Sequence, residues 1–186
     1  MPAGIIVTII VVVVFLILVG VASTYNALVR LRNQVDEAFA TMDVYLKKRY
    51  DLIPNLVETV KGYAAHEKET LESVIAARNM AQGAGTMEEK LAGENMLAGS
   101  LKSLFAVAEG YPDLKANQNF RDLQEQLEGT ENRIQVTRQS YNNKARAYNT
   151  MIRRFPNNIL SNMFGFDIIT YFHADVEAVK APQVNF

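Results

Sequence analysis

The feature that most constrains this chain is an uninterrupted apolar run close to its start. Residues 5–22 read IIVTIIVVVVFLILVGVA, with one Thr, one Gly and no charge, and no charged side chain occurs before Arg30. As a helix, this run spans about 27 Å, close to the thickness of the hydrocarbon core of a bilayer. A cleaved signal peptide has a basic leading region and a shorter apolar core. We therefore predict an uncleaved transmembrane anchor over residues 1–24.

The positive-inside rule bears on the side of the membrane that holds the remaining residues. Arg30 and Arg32 follow the apolar run, and no basic side chain precedes it. This asymmetry favours a cytoplasmic location for the rest of the chain. Two arginines are few, and long domains translocate regardless of charge, so the extracytoplasmic side stays open.

Charge and cysteine content exclude several classes of function. The formal net charge is −1, so no overall electrostatic attraction to nucleic acid is expected. The chain has no Cys, which excludes disulfides, thiolate metal sites and thiol chemistry. We expect no nucleic-acid partner, no metal and no cofactor.

The rest of the chain reads as an all-α protein. Apolar residues recur at spacings of three and four over about 25–81, 87–109 and 114–155. No loop signal separates the first of these from the membrane run, so one helix is expected from residue 5 to about 81. Gly83, Gly85 and a Thr86–Glu89 capping-box pattern end it, and Gly110 with Pro112 marks the next break. Short connections predict antiparallel neighbours, so the fold class is an N-terminal transmembrane helix continuous with an antiparallel three- or four-helix bundle.

Residues 156–186 are predicted to form a short helix and an irregular tail. Pro156 suits the first position of that helix and Gly165 its end. The tail is expected to fold back onto the bundle through its aromatic residues, Phe164, Phe166, Tyr171 and Phe172.

Pro54 lies inside the first predicted helix, in KKRYDLIPNLVETV. Proline there removes a hydrogen bond to the carbonyl of Tyr50. Either Asp51 caps a new helix, or one helix continues with a kink. Leu52 and Leu56 keep the same helical phase across Pro54, which favours the kinked helix. Such a bend can wrap the helix around the bundle or tilt the domain relative to the membrane.

Tyrosine and asparagine recur together at helical spacing. We interpret these side chains as contacts between helices or between subunits, with the amides bridging by hydrogen bonds. A polar ligand groove is the alternative. The residues interpreted in this way are Tyr25, Asn26, Tyr45, Asn55, Tyr63, Tyr141, Asn142, Tyr148, Asn149 and, at the end of the third predicted helix, Phe155. The predicted second helix is about half as long as the others, which leaves apolar surface uncovered and predicts a homo-oligomer.

The residues resemble the LemA family from about Tyr25 to Phe186. The matching stretches include DLIPNLVETVKGYA, YPDLKANQNFRDLQEQLEGTENRI and RQSYNNKARAYNTMIRRFPNNIL. Tyr45 departs from the polar residue expected at its position, and DIITYF departs from the usual segment. The resemblance implies a membrane anchor followed by a long-helix bundle, carries no catalytic residues, and points to the organisation of membranes. With it, we expect a single-pass protein of the bacterial inner membrane.

The sequence offers little for catalysis. His66 and His173 stand far apart, and no HExxH or phosphate-binding loop occurs. We expect no enzymatic activity and no catalytic residue. Two hypotheses remain: a self-assembling membrane scaffold, or a monomeric anchored adaptor that presents a bundle face or residues 181–186 to a partner membrane protein.

Overall fold

The structure is a computed structural model in which residues 2–172 are described, and within them every regular element is a helix. The elements are α1 (Pro2–Lys61), α2 (Lys68–Gly83), α3 (Met87–Ala108), α4 (Pro112–Ala116), α5 (Gln118–Arg153) and α6 (Asn157–Phe164). The predicted all-α class is confirmed. The capping box at Thr86 and Glu89 is present, and Gly165 ends α6 with a left-handed φ of 72°.

The prediction of one helix from residue 5 to 81 is wrong, because α1 ends at Lys61 and the chain reverses into α2. Gly62 costs about 1 kcal/mol in a helix interior relative to alanine. The turn that follows is closed by backbone bonds from Tyr63 N and Ala64 N to Val60 O, at 3.0 and 2.8 Å. Reversal lets α2 bury Leu71, Val74, Ala77 and Ala81, and this burial outweighs the gain from continuing the helix.

The chain divides into two compact units, and α1 and α5 each contribute to both. Within the described residues, one unit comprises residues 2–39 and 140–171, and the other comprises residues 40–139 with Phe172. The predicted division at residues 24 and 155 follows the order along the chain and stays a prediction. Residue 24 lies inside α1, whereas residue 155 lies between α5 and α6. The units follow the packing between helices and not the order along the chain.

The unit of residues 40–139 is a four-helix bundle. Arg78 of α2 contacts Tyr50 of α1, and α2 packs along α3. Lys90 and Glu94 of α3 meet Asp43 and Arg49 of α1, in the same order along both helices. α3 therefore runs parallel to α1.

The remaining helix of this bundle, α5, runs antiparallel to α1. Glu131 meets Arg49 and Asn117 meets Tyr63, so the order is reversed along the two helices. The result is an up-down-up-down bundle of four helices. The extra reversal at residues 62–67 supplies the fourth helix.

The other unit pairs the first part of α1 with the last part of α5. The rings of Phe39 and Tyr141 meet edge to face, with centroids 5.9 Å apart. α6 and residues 165–171 belong to this unit. Its buried apolar side chains are Leu28, Val35, Tyr141, Ala145, Tyr148 and Ile152.

The first part of α1 stands apart from any core. The large apolar side chains from Ile5 to Val19 are each 48–63% exposed, and Leu28 is the first buried one. Within the described residues, α1 is the one helix long and apolar enough to cross a membrane, judged by length and composition.

α1 continues through Pro54, with no new helix start at Asp51. The carbonyl of Tyr50, to which Pro54 cannot donate, accepts a hydrogen bond from Nε of Arg78 at 3.2 Å. The short second helix of the prediction was expected to leave apolar surface of α1 uncovered. In the structure, less of that surface is exposed. Both α2 and α3 pack in the bundle, and buried residues of α1 extend to Val60.

Candidate functional site

A buried group of charged and polar side chains lies inside the four-helix bundle. We call Arg49, Tyr50, Glu94 and Glu131 the Arg49 cluster. Arg49 Nη1 donates to Glu131 Oε2 at 2.5 Å, and its Nη2 pairs with Glu94 Oε2. The Tyr50 hydroxyl donates to Glu94 Oε1. The side chains of Arg49 and Glu94 are each 5% exposed, whereas Glu131 reaches solvent. The cluster joins α1, α3 and α5.

The electrostatics of the Arg49 cluster favour a structural role. Burial lowers the pKa of Arg49, and the negative charge of Glu131 acts in the opposite direction. Burial raises the pKa of Tyr50 to about 12, and the neighbouring Arg49 charge acts against that rise. Acid–base catalysis at neutral pH needs pKa values near 7, so the shift of Tyr50 is in the wrong direction.

A second ion-pair group lies along α1 in the same bundle. Lys90 Nζ lies 2.6 Å from Asp43 Oδ1, and Lys47 Nζ lies 3.0 Å from Asp43 Oδ2. Burial raises the pKa of Asp43, but the hydrogen bonds and charges of the two lysines outweigh it, so the net pKa lies below its usual value. The carboxylate is therefore held in its charged form.

An apolar groove opens between α3 and α5 beside the Arg49 cluster. It has a volume of about 410 Å³. Its lining residues are Arg49, Ala98, Leu101, Lys102, Phe105, Leu127, Glu128 and Glu131. Within the described residues, Arg49 Nε is buried and has no hydrogen-bond partner. An apolar wall with a few charged groups is typical of a binding groove.

The other unit carries an exposed apolar surface around α6. We call Phe155, Ile159, Met163, Phe164 and Ile168 the α6 surface; their exposed fractions are 76, 58, 64, 43 and 57%. Tyr25 of α1 touches this surface edge to face. Its ring centroid lies 5.1 Å from that of Phe164 and 5.7 Å from that of Phe166.

The tyrosine and asparagine side chains of α5 hold the segment after α6. Asn149 Nδ2 donates to Ile169 O at 2.8 Å, and Asn149 Oδ1 accepts from Ile169 N at 2.9 Å. The hydroxyl of Tyr141 donates to Thr170 O at 2.8 Å, and burial raises the pKa of Tyr141. The Tyr148 hydroxyl is buried without a partner in the described part of the chain.

The other residues predicted to pack between helices or subunits are scattered. Asn26 and Asn55 are exposed, Tyr45 and Asn142 are half-buried, and Tyr63 is exposed but accepts a hydrogen bond from Asn117 at 2.9 Å. Phe155, from the same set, forms part of the α6 surface. Of the tail residues, Phe164 and Phe166 meet Tyr25, Tyr171 is half-buried and Phe172 is buried.

The histidines do not form a site in the described residues. His66 is exposed, and His173 lies outside the described residues, as do residues 181–186. Among residues 2–172, no group of three His, Asp or Glu side chains is placed to hold a metal ion.

Two contacts were not predicted from the sequence alone. The first is the buried ion pair of Arg49 with Glu94. Arg49 interrupts the apolar stripe of α1, and Glu94 is buried within the apolar stripe of α3. Opposite charges on two such stripes were a signal for a buried ion pair. The contact of Arg78 with the Tyr50 carbonyl left no pattern in the sequence, because it depends on where α2 crosses α1.

Comparisons with known proteins identify relatives. The model of the LemA family matches residues 38–186. Magnetosome protein MamQ of Magnetospirillum gryphiswaldense is 25% identical over 189 residues, covering 86% of this chain and 70% of that protein. Magnetosome protein MamQ 2 of Paramagnetospirillum magneticum is 27% identical over 174 residues, covering 80% of this chain and 64% of the relative. Protein LemA of Metamycoplasma hominis is 25% identical over 159 residues, covering 83% of this chain and 71% of that protein.

Proposed function

This chain belongs to the LemA family, and on that premise we propose that it is a membrane-anchored, non-enzymatic scaffold whose copies assemble side by side. The anchor is the apolar segment of α1 over residues 5–22, in a single pass through the bacterial inner membrane. The helical part faces the cytoplasm under the positive-inside rule.

One observation carries the anchor. The large apolar side chains from Ile5 to Val19 are about half exposed or more, and none is covered by protein. Leaving so many large apolar side chains in water is costly, at about 25 cal/mol per Å² of apolar surface. A bilayer removes this cost, and a continuous helix leaves no backbone group unpaired inside it.

Two exposed valines support side-by-side assembly. The contacts of Arg49 with Glu131 and of Tyr63 with Asn117 set the register of α1 against α5 in the bundle. Counting five residues along each helix from the first pair places Val44 level with Val136. Their exposed fractions are 64% and 65%. An apolar pair of this kind suits contact with a second copy of the chain.

The particle mass of the full-length protein in a mild detergent tests self-assembly. We expect a discrete mass that is a multiple of 20.8 kDa, and a lower mass for the double variant Val44→Glu/Val136→Glu. The matched control is Ala40→Glu/Gln135→Glu, which adds the same charges at exposed positions of the same helices and should keep the assembly. A single-chain mass for the unaltered protein would exclude the scaffold.

The second candidate is an adaptor, and the groove between α3 and α5 favours it. An apolar side chain of a partner membrane protein fits a groove of this lining. Ala98 is exposed on the groove wall, so Ala98→Trp should fill the groove without disturbing the core. For an adaptor, this variant or deletion of residues 181–186 abolishes partner binding and leaves the mass of the protein itself unchanged.

Extraction with alkaline carbonate tests the anchor separately. An integral protein stays with the membrane pellet, whereas a protein held only by surface charge is released. Release of the full-length chain would remove the premise shared by both candidate functions.

A further inference from the structure

α6 has its polar side turned inward and its apolar side turned outward. Asn157 and Ser161 are buried, whereas Ile159 and Met163 are 58% and 64% exposed. At about 100° per residue these two pairs lie on opposite faces of the helix. The Ser161 hydroxyl donates to the carbonyl of Ile152 at 2.9 Å. A surface helix of a domain surrounded by water shows the reverse arrangement.

The C-terminal end of α6 is held beside the end of the apolar segment of α1. Tyr25 lies three residues beyond that segment, or about 4.5 Å along the helix axis. Its ring meets Phe164 and Phe166 at centroid distances of 5.1 and 5.7 Å. These rings therefore lie where α1 would leave the hydrocarbon core.

The N-terminal end of α6 lies at a similar level. The contact between Phe39 and Tyr141 pairs α1 with an antiparallel α5 in this unit. Counting equally along both helices from that pair brings the end of α5, at Arg153, level with Ala27. Asn157, the first residue of α6, bonds the sulfur of Met151 at 3.2 Å. Both ends of α6 are thus within about one or two helical turns of Tyr25.

The charge of this unit complements an anionic surface. Residues 24–39 and 140–171 contain six Lys and Arg against three Asp and Glu, although the whole chain has a net charge of −1. Arg153 and Arg154 are exposed and directly precede the α6 surface. Lys and Arg near a membrane surface are attracted by anionic headgroups, and tyrosine is enriched at that level.

We propose that the α6 surface rests in the headgroup region of the same bilayer that the apolar segment of α1 enters. The partner is a lipid surface, with Ile159, Met163 and Phe155 in the upper acyl region and Arg153 and Arg154 beside the phosphates. Amphipathic helices of this kind sink about 5–10 Å into the boundary. This inference rests on the proposed anchor and adds a second contact, which fixes the rotation and tilt of α1.

The chain has no cysteine, so single cysteines can report depth in the full-length protein. Met163→Cys reports on α6 and Val11→Cys on the anchor. Asn143→Cys is the control, because it is exposed on α5 and about 15 Å along that helix from Arg153. Each is labelled with the NBD fluorophore and reconstituted into vesicles of phosphatidylcholine and phosphatidylglycerol in equal parts. The vesicles carry spin-labelled lipid with the quencher either high or low on the acyl chain.

We expect shallow lipid to quench the label at residue 163 more than deep lipid does, with the opposite order at residue 11 and little quenching at residue 143. Quenching at 11 without quenching at 163 would overturn the proposal and leave the anchor standing. A blue-shifted label at 163 that lipid does not quench would mean that protein covers the surface, which also overturns it. Absence of quenching at 11 would overturn the anchor and this inference together.

The charge contribution has its own test. The double variant Arg153→Gln/Arg154→Gln, carrying the label at residue 163, should lose the extra quenching that phosphatidylglycerol gives over pure phosphatidylcholine. The same loss is not expected for Lys144→Gln/Arg146→Gln, since those exposed residues lie farther along α5. An equal response of both double variants would overturn the assignment of the arginines to the headgroups.

Discussion

Arg78 should matter for stability only as long as Pro54 is present. Pro54 has no N–H for the Tyr50 carbonyl, and Arg78 Nε donates to that carbonyl at 3.2 Å. Replacing Arg78 by Met leaves the carbonyl without a partner beside the largely buried Tyr50. Such a loss costs about 1–3 kcal/mol of the free energy of unfolding.

In a Pro54→Ala background the cost should nearly vanish. The substituted alanine supplies an N–H to the Tyr50 carbonyl, so the helix bond replaces the guanidinium. We expect Arg78→Met to cost less than about 0.5 kcal/mol there, and Pro54→Ala alone to stabilise the chain by up to about 3 kcal/mol. The coupling between the two positions, the difference between these two costs of Arg78→Met, is therefore about 0.5–3 kcal/mol.

Urea unfolding of the four proteins in detergent, followed by circular dichroism, measures this coupling. Arg78 also bonds Asn79 through Nη1, but that contact is present in both backgrounds and cancels in the cycle. Equal costs of Arg78→Met with and without Pro54, to within about 0.5 kcal/mol, would refute the assignment of Arg78 to the Tyr50 carbonyl.

Three further perturbations test the packing, the tail and the pH dependence. Gly93→Ala should lower the free energy of unfolding in urea by about 1–3 kcal/mol, because the added Cβ would lie 2.6 Å from Ala81 Cα. Gly99→Ala should instead stabilise the protein, because nothing lies within 4 Å of its added Cβ. Equal effects of the two substitutions would contradict this reasoning. Asn149→Leu should abolish protection of the Ile169 amide in hydrogen exchange, since both hydrogen bonds of the Asn149 side chain to that residue are lost. Retained protection would show that Asn149 does not hold this segment. Burial raises the pKa of Tyr50 to about 12 in the folded protein, whereas in the unfolded chain the phenol ionises at its ordinary pKa. The free energy of unfolding should therefore fall by about 1–2 kcal/mol between pH 10 and pH 12. Tyr50→Phe should reduce this dependence on pH.

Local patterns predicted much of the architecture. The apolar run at residues 5–22, the capping box at Thr86 and Glu89 and the glycine that ends α6 each act over a few residues, and each is present. Local signals did not predict the end of α1 at Lys61. The apolar phase continues across residues 62–67, and a single Gly62 costs too little to mark a break by itself.

The interpretation of the tyrosines and asparagines as contacts between helices or subunits stays a prediction. The recurrence of Tyr and Asn on α5 pointed to Tyr141 and Asn149, which hold residues 169 and 170. It pointed equally to Asn26 and Asn55, which are exposed. Periodicity shows which residues share a face of a helix, but it does not show which face another segment covers.

By itself, the sequence determined the helical class, the long apolar N-terminal helix and the family, because these depend on composition and on residues near each other in the chain. The tertiary structure decided the fourth helix, the burial of Arg49 with Glu94, the hydrogen bond from Arg78 to Tyr50, and the outward apolar face of α6. Each of these depends on contacts between residues far apart in sequence. Their free energies exist only once the helices are packed, so no local pattern encodes them.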